Sequence, residues 1–255
     1  MEKIEHPFLI VQLVNRLAAA IAAALGIHVA SPANIVPDYL VMCGVVVLVV
    51  TGLGLFLRSR LSVENPGKTQ IVLEDFVTTL MAMLKDDVGP KGPRYFWLVA
   101  TIGTFIFIGN MMGQIPGLGS ATSNINVTLG LALMVWFYYH FQGFKEQGVV
   151  SYLKHFAAPP GVPVYFAPLM ILIEPISHLA RIMSLSLRLF GNIFGEHLVV
   201  LILASLFAFV TPLPIMFLGL IVGPLQAYIF VKLTMIYLGG AVASDHHGEH
   251  ELEAA

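Results

Sequence analysis

The sequence predicts an all-α integral membrane protein of about five to six hydrophobic helices, including a long, steeply tilted helical hairpin near the C-terminus. Three observations predict it. Of the 255 residues, 57% are hydrophobic and only 11% are charged, with a mean hydropathy of +0.84, whereas soluble domains carry roughly 25% charged residues. Apolar runs of spanning length recur along the chain, separated by segments rich in Pro, Gly, Lys and Arg. Finally, residues 176–211 contain no proline and are bounded by Pro175 and Pro212. As one helix that stretch measures about 54 Å, against a hydrocarbon thickness of about 30 Å, so it has to tilt or break.

The elements follow in order. Phe8 to Ile27 is apolar but interrupted by Gln12, Asn15 and Arg16. It lacks a clean cleavage pattern for a removable signal peptide. It reads as an interfacial helix rather than a span, because Arg16 is costly in hydrocarbon. Asp38 to Leu57 is the first span, free of interior charge and about 20 residues long. Arg58 and Arg60 close it, which puts that end in the cytoplasm and the N-terminus outside. Between 61 and 94, Ile71, Phe76, Leu80, Met83 and Leu84 outline the apolar face of a membrane-skimming helix. Lys68, Lys85, Lys91 and Arg94 keep that region inside.

Tyr95 to Gln114 runs outward. Residues 115–124 form an external loop without Lys or Arg, and Val127 to Phe141 returns inward, followed by Lys145 and Lys154. Pro159, Pro160 and Pro163 make a rigid linker before the long helix, in which Gly191 and Gly195 are candidate break points. Pro214 to Val242 is expected to pack antiparallel to it. The domain reading is therefore an external or interfacial segment over 1–34, a membrane domain over 35–243 and an acidic, His-rich cytoplasmic tail over 244–255.

Several function classes drop out. A net charge of −2 gives no general basic surface for nucleic acid. The single cysteine, Cys43, excludes an internal disulfide. No internal repeat is visible, which argues against many secondary transporters. No HExxH or P-loop motif is present, so neither metalloenzyme nor nucleotide chemistry is expected in this chain. No cofactor or metal is expected. The Asn126 sequon abuts a span and carries no argument. His246, His247 and His250 read as a solvated tail, and His140 and His155 as interfacial or loop residues rather than proton relays.

Ionisable groups within membrane segments are expensive and usually functional. The long helix carries Glu174, His178, Arg181, Arg188, Glu196 and His197. At about 100° per residue from Arg188, Glu174 falls near +40°, Arg181 near +20°, Ser184 near −40°, Asn192 near +40° and Gly195 near −20°. They form one polar stripe. Glu196 lies near +80°, off to its side, and His197 near 180°, facing away. Glu174 and Arg181 also fit an i, i+7 interfacial pair serving as polar glue. Arg188 is different: a guanidinium keeps its charge where a buried lysine sheds it, so a cation deep in the apolar stretch demands an anionic partner.

Ser184-Leu185-Ser186-Leu187-Arg188-Leu189-Phe190-Gly191-Asn192 closely resembles the signature of subunit a of F-type ATP synthases. Asn124 to Leu133 looks like that family's outer loop and third span, Tyr152 to Phe156 like its inner loop, and Leu225 to Phe230 like its last helix. Together the matches cover about residues 35 to 242, in family order.

The resemblance implies a stator arginine at Arg188, facing the essential carboxylate of the rotating ring of subunit c. It implies an outer half-channel lined by Asn192 and by the position nine beyond the arginine, here His197 with Glu196 before it. The usual bacterial pattern has a glutamate after a glycine, so Glu196 and His197 both stand as candidates for the relay. Gln226 matches the glutamine that approaches the arginine from the last helix. The histidine that some relatives carry seven residues earlier is replaced by Gly219. Glu174 and Ser184 match positions of the inner half-channel. The implied partners are the c-ring, the subunit b peripheral stalk, the F1 sector and the lipid bilayer, in a bacterial inner membrane.

Overall fold

The structure, a computed structural model, describes residues 9–24, 35–62, 66–115, 118–152, 166–206 and 212–242. These include the α-helices α1 (Leu9–Ala24), α2 (Asp38–Arg58), α3 (Lys68–Val88), α4 (Phe96–Gly113), α5 (Ile125–Gln147), α6 (Ala167–Leu206) and α7 (Pro212–Val242), and residues 149–152 are helical as well. Short 3-10 turns, Gly92–Tyr95 and Ala121–Ser123, lead into α4 and α5. There is no strand among the described residues. Lys154, His155, the prolines at 159, 160 and 163, and the tail from 244 onward lie outside the described residues, as does most of segment 1–34 apart from α1.

Among the described residues, four stretches are long and apolar enough to cross a membrane: Asp38–Arg58, Gly92–Gly113, Pro168–Ser205 and Leu213–Val242. The expected third span, α5, is 23 residues long, but Tyr138, Tyr139, His140 and Gln142 make its second half less apolar. Its setting explains how it tolerates them: α5 packs between α6 and α7, where polar groups meet protein. α1 spans 16 residues, or about 24 Å, short of the hydrocarbon. It lies against α2 through Val11, while Arg16 is exposed. Asn15, one of the polar interruptions, is only 2% exposed and exchanges hydrogen bonds with the backbone of Val36. In α3 only part of the expected apolar face is covered. Leu80 and Leu84 are buried, whereas Ile71 and Phe76 are exposed, as suits a helix lying along a membrane.

The long helix corrects one expectation. Pro175 is inside α6, which begins eight residues before it, at Ala167. Proline deletes one helix hydrogen bond. In lipid, however, ending the helix leaves several backbone groups with no water to bind, so continuing is the smaller penalty. The helix also continues through Gly191 and Gly195. At 40 residues it measures about 60 Å, twice the hydrocarbon thickness, which sharpens the need for tilt.

α7 is the hub, packing against α3, α4, α5 and α6. Its Phe230, Met235 and Leu238 join Leu84, Val99, Ile106, Val135 and Leu189 in the main core. A side chain on Gly239 would overlap the Asp87 carbonyl, so the end of α3 can press directly on α7. Lys232 Nζ donates to both oxygens of Asp87, at 2.7 and 2.8 Å, beside that contact. The buried Asn110 side chain donates to the Gly223 carbonyl at 3.0 Å and accepts from Thr122 Oγ1 at 2.6 Å, tying α4, the 118–124 loop and α7 together. At the other end of the bundle Lys91 pairs with Glu146. That hydrogen bond, aided by Arg94 and Lys145, holds the Glu146 carboxyl below the usual carboxylate range.

Candidate functional site: two cavities flanking Arg188

The outward face of α6 is apolar. Met183, Leu187, Phe194, Leu198 and Leu201 are all exposed. Arg188 stands on this face, near the middle of the helix. Its Nη2 donates to Ser184 Oγ at 3.3 Å, one turn back. Among the described residues it forms no ion pair. Gly191 and Gly195 leave the neighbouring surface flat, with nothing near a would-be Cβ at either.

One turn beyond Arg188, Asn192 Nδ2 donates to Gln226 Oε1 at 2.9 Å. Gln226 is 2% exposed, so α7 offers its amide to the stripe and to little else. The family resemblance aims this glutamine at the arginine; its hydrogen bond here is with Asn192.

Past Asn192 a cavity of about 270 Å³ opens between α6 and α7, lined by Asn192, Gly195, Glu196, Val199, Ile215, Leu218, Gly219 and Val222. Glu196 Oε1 accepts from Gln114 Nε2 at 2.7 Å, at the end of α4. A Cβ on Gly219 would overlap that carboxylate and stand 2.6 Å from Gln114 Nε2. Glu196 therefore uses the space that Gly219 leaves empty. His197 turns the other way, as its wheel position predicts. Its Nε2 is 3.2 Å from where a Cβ on Gly113 would stand, beside Ser120. The helix thus separates the two relay candidates: Glu196 opens on the cavity shared with Asn192, and His197 packs against the end of α4.

Glu174 and Arg181 line a second cavity, of about 190 Å³, with Tyr139, Tyr152, His178, Tyr237, Gly240 and Ala241. The two are not within ion-pair distance. Arg181 instead lies over the Tyr237 ring, 5.3 Å from its centroid, a cation–π placement. Glu174 and Glu196 are 22 residues apart, about 33 Å along the helix, with Arg188 between them.

Sequence reasoning missed Gln114 as the partner of Glu196, and Tyr139 and Tyr237 as cavity residues. Gln114 left one signal, an amide at the end of an apolar run. Its target depends on how α4 packs beside α6, which periodicity does not contain.

The ATP synthase A chain family model matches residues 39–239. The chain is 38% identical to ATP synthase subunit a 1 of Syntrophotalea carbinolica over 242 residues, covering 94% of this chain and 99% of that one. It is 44% identical to ATP synthase subunit a of Sulfurihydrogenibium sp. over 185 residues, 72% of this chain and 86% of that one. It is also 42% identical to the Aquifex aeolicus protein of the same name over 192 residues, 72% and 87% of the two chains. With the arginine-bearing long helix and its hairpin partner in place, these matches establish that the chain belongs to the ATP synthase A chain family, as a multi-pass membrane subunit of the F0 sector.

Proposed function

We propose that the chain is the non-catalytic stator that passes protons to and from the carboxylates of a c-ring, through two half-channels that do not meet. The observation that carries this reading is Arg188, a permanent cation on an exposed apolar face with no ion pair among the described residues. Such a charge requires an anion supplied by another protein. Gly191 and Gly195 suit the close approach of a partner helix.

In this reading a proton enters by the Glu196 cavity, past Asn192, and neutralises a rotor carboxylate, which then faces lipid. After nearly a full turn the carboxyl meets the Glu174 cavity and releases its proton. Arg188 stands between the two paths. A cation about 4 Å from a carboxylate favours ionisation by about 4 kcal/mol at an effective dielectric of about 20, less the carboxylate's desolvation. The same charge repels protons that would leak straight across. Each proton delivers about 2.3 kcal/mol per 100 mV, so several are needed per ATP, whose chemistry belongs to the F1 sector. The subunit b stalk would hold the chain against rotation. In this reading the N-terminus is outside and the C-terminus in the cytoplasm, which the Lys and Arg distribution supports, and the membrane is a bacterial inner membrane, as the bacterial relatives suggest.

Glu196 rather than His197 is the relay in this reading, because its carboxylate shares a cavity with Asn192. The test is Arg188→Ala in assembled complexes in vesicles, with ATP-driven acidification and passive leak scored separately. The expected result is loss of pumping with ATP hydrolysis and assembly retained, and a raised leak. Near-normal pumping would make Arg188 structural and end the proposal.

A further inference from the structure

Two tyrosine–histidine pairs meet at the Glu174 cavity. Tyr139 Oη and His178 Nδ1 are 2.7 Å apart, and His140 Nδ1 and Tyr152 Oη 2.8 Å. The two imidazoles touch, with centroids 4.7 Å apart. Tyr139 also lies parallel to the His178 ring, at 5.8 Å. His178 is 7% exposed and Tyr139 2%, and both line the cavity. α5, α6 and the helical residues 149–152 supply these groups, so no single element's sequence displays them.

We propose that His178, held by Tyr139, is a proton relay of the Glu174 cavity, carrying protons between Glu174 and cavity water. This rests on the half-channel reading above and names the group that moves protons within one of the channels.

The cavity has the room and the chemistry for water. Its volume of about 190 Å³ takes several molecules, and a buried water needs two to four polar partners, which Tyr139, Tyr152, Glu174, His178 and Arg181 supply. A histidine conducts by binding a proton at one ring nitrogen while releasing the one on the other. The ring then returns to its first tautomer by moving the proton back or by rotating. The Tyr139 hydroxyl suits Nδ1 in both states, since it donates to a bare nitrogen and accepts from a protonated one. The titratable and charged groups facing His178 are Tyr139 and His140 from α5, Tyr152 from the following turn, Glu174 and Arg181 from α6, and Tyr237 from α7.

The experiment uses the assembled complex in vesicles. His178→Gln keeps a partner for Tyr139 but does not titrate. It is expected to assemble and hydrolyse ATP, to lower ATP-driven pumping by about tenfold or more, as loss of a positioned proton-transfer group does, and to flatten the pH dependence of pumping. Tyr139→Phe should lower pumping less and shift that profile without flattening it. Wild-type pumping with an unchanged profile in His178→Gln overturns the relay.

A second measurement covers a variant that fails to assemble. Gly240 lines the cavity and has open space at its Cβ position, so Gly240→Cys in a Cys43→Ser chain is a probe of water. Silver ion should react there and stop pumping; an unreactive thiol means a dry cavity and overturns the proposal. Arg188→Ala measured alongside separates the two claims. If it pumps, the half-channel reading fails. If it does not, while His178→Gln pumps normally, only the relay fails.

Discussion

At the Glu196 end of α6, one carboxylate stands among Val199, Ile215, Leu218 and Val222, with a single amide, Gln114, donating to it. At the Glu174 end, the carboxylate shares its cavity with an arginine, a histidine and three tyrosines. Both carboxylates belong to one helix, and both cavities are about the size of a few waters. The difference comes from the neighbours. Near Glu196, α7 offers aliphatic residues and a glycine. Near Glu174, α5 and the end of α7 offer aromatic rings with polar tips. One end therefore depends on a precise fit around a lone acid, and the other on a network with several polar groups. Single substitutions should damage the first more sharply than the second.

Gly219→Val tests that contrast most severely. Its side chain would occupy the place of the Glu196 carboxylate, forcing the acid to move or the hairpin to part. Proton pumping should fall by about 100-fold or more, in line with an overpacking strain of about 1–3 kcal/mol added to a lost proton-transfer group. Retained pumping would break the comparison, because Glu196 would then not need its seat. Silver reactivity at Gly240→Cys, some 30 Å away by the helix count, should be unchanged.

Gln114→Leu sharpens the comparison further. It removes the donor to Glu196 and leaves that oxygen without its partner, a penalty of about 1–3 kcal/mol. Pumping should fall by about tenfold. Gln114→Asn, too short to reach, should resemble Leu if position matters, whereas Gln114→Glu should be the most harmful of the three through like charge. A flat series would make Gln114 a packing residue.

Glu146→Gln is the mildest change and touches the Glu174 end alone. Lys91 holds the Glu146 carboxyl below its ordinary range, and the adjacent Gln147 donates to the carbonyl of Ala241, a wall of that cavity, at 3.0 Å. A depressed carboxylate contributes stability that is present above its unfolded pKa and lost as pH falls through its folded value. The wild-type complex should thus become easier to dissociate with acid, and Glu146→Gln should lose that acid dependence while pumping nearly normally. Detergent dissociation measured against pH checks it; an unchanged acid response would remove Glu146 from the account.

The stripe on α6 was legible in the sequence because it needs only the helical period: Arg188, Ser184, Asn192 and Gly195 fall together on any α-helix, and His197 opposite them. The spans were legible because about 20 apolar residues between charged flanks have few other stable outcomes. Pro175 misled, since a boundary rule drawn from helices in water does not hold where breaking a helix exposes backbone to lipid.

What the sequence determined by itself was the class, the helices and the residues of one face, because composition, length and period are properties of a chain segment. What only the tertiary structure decided was that α7 leaves a cavity for Glu196 at Gly219, that Gln114 holds its carboxylate, and that Tyr139 and His140 of α5 meet His178 of α6. Those facts depend on how neighbouring helices cross and rotate against one another, and that is set by packing between segments far apart in sequence.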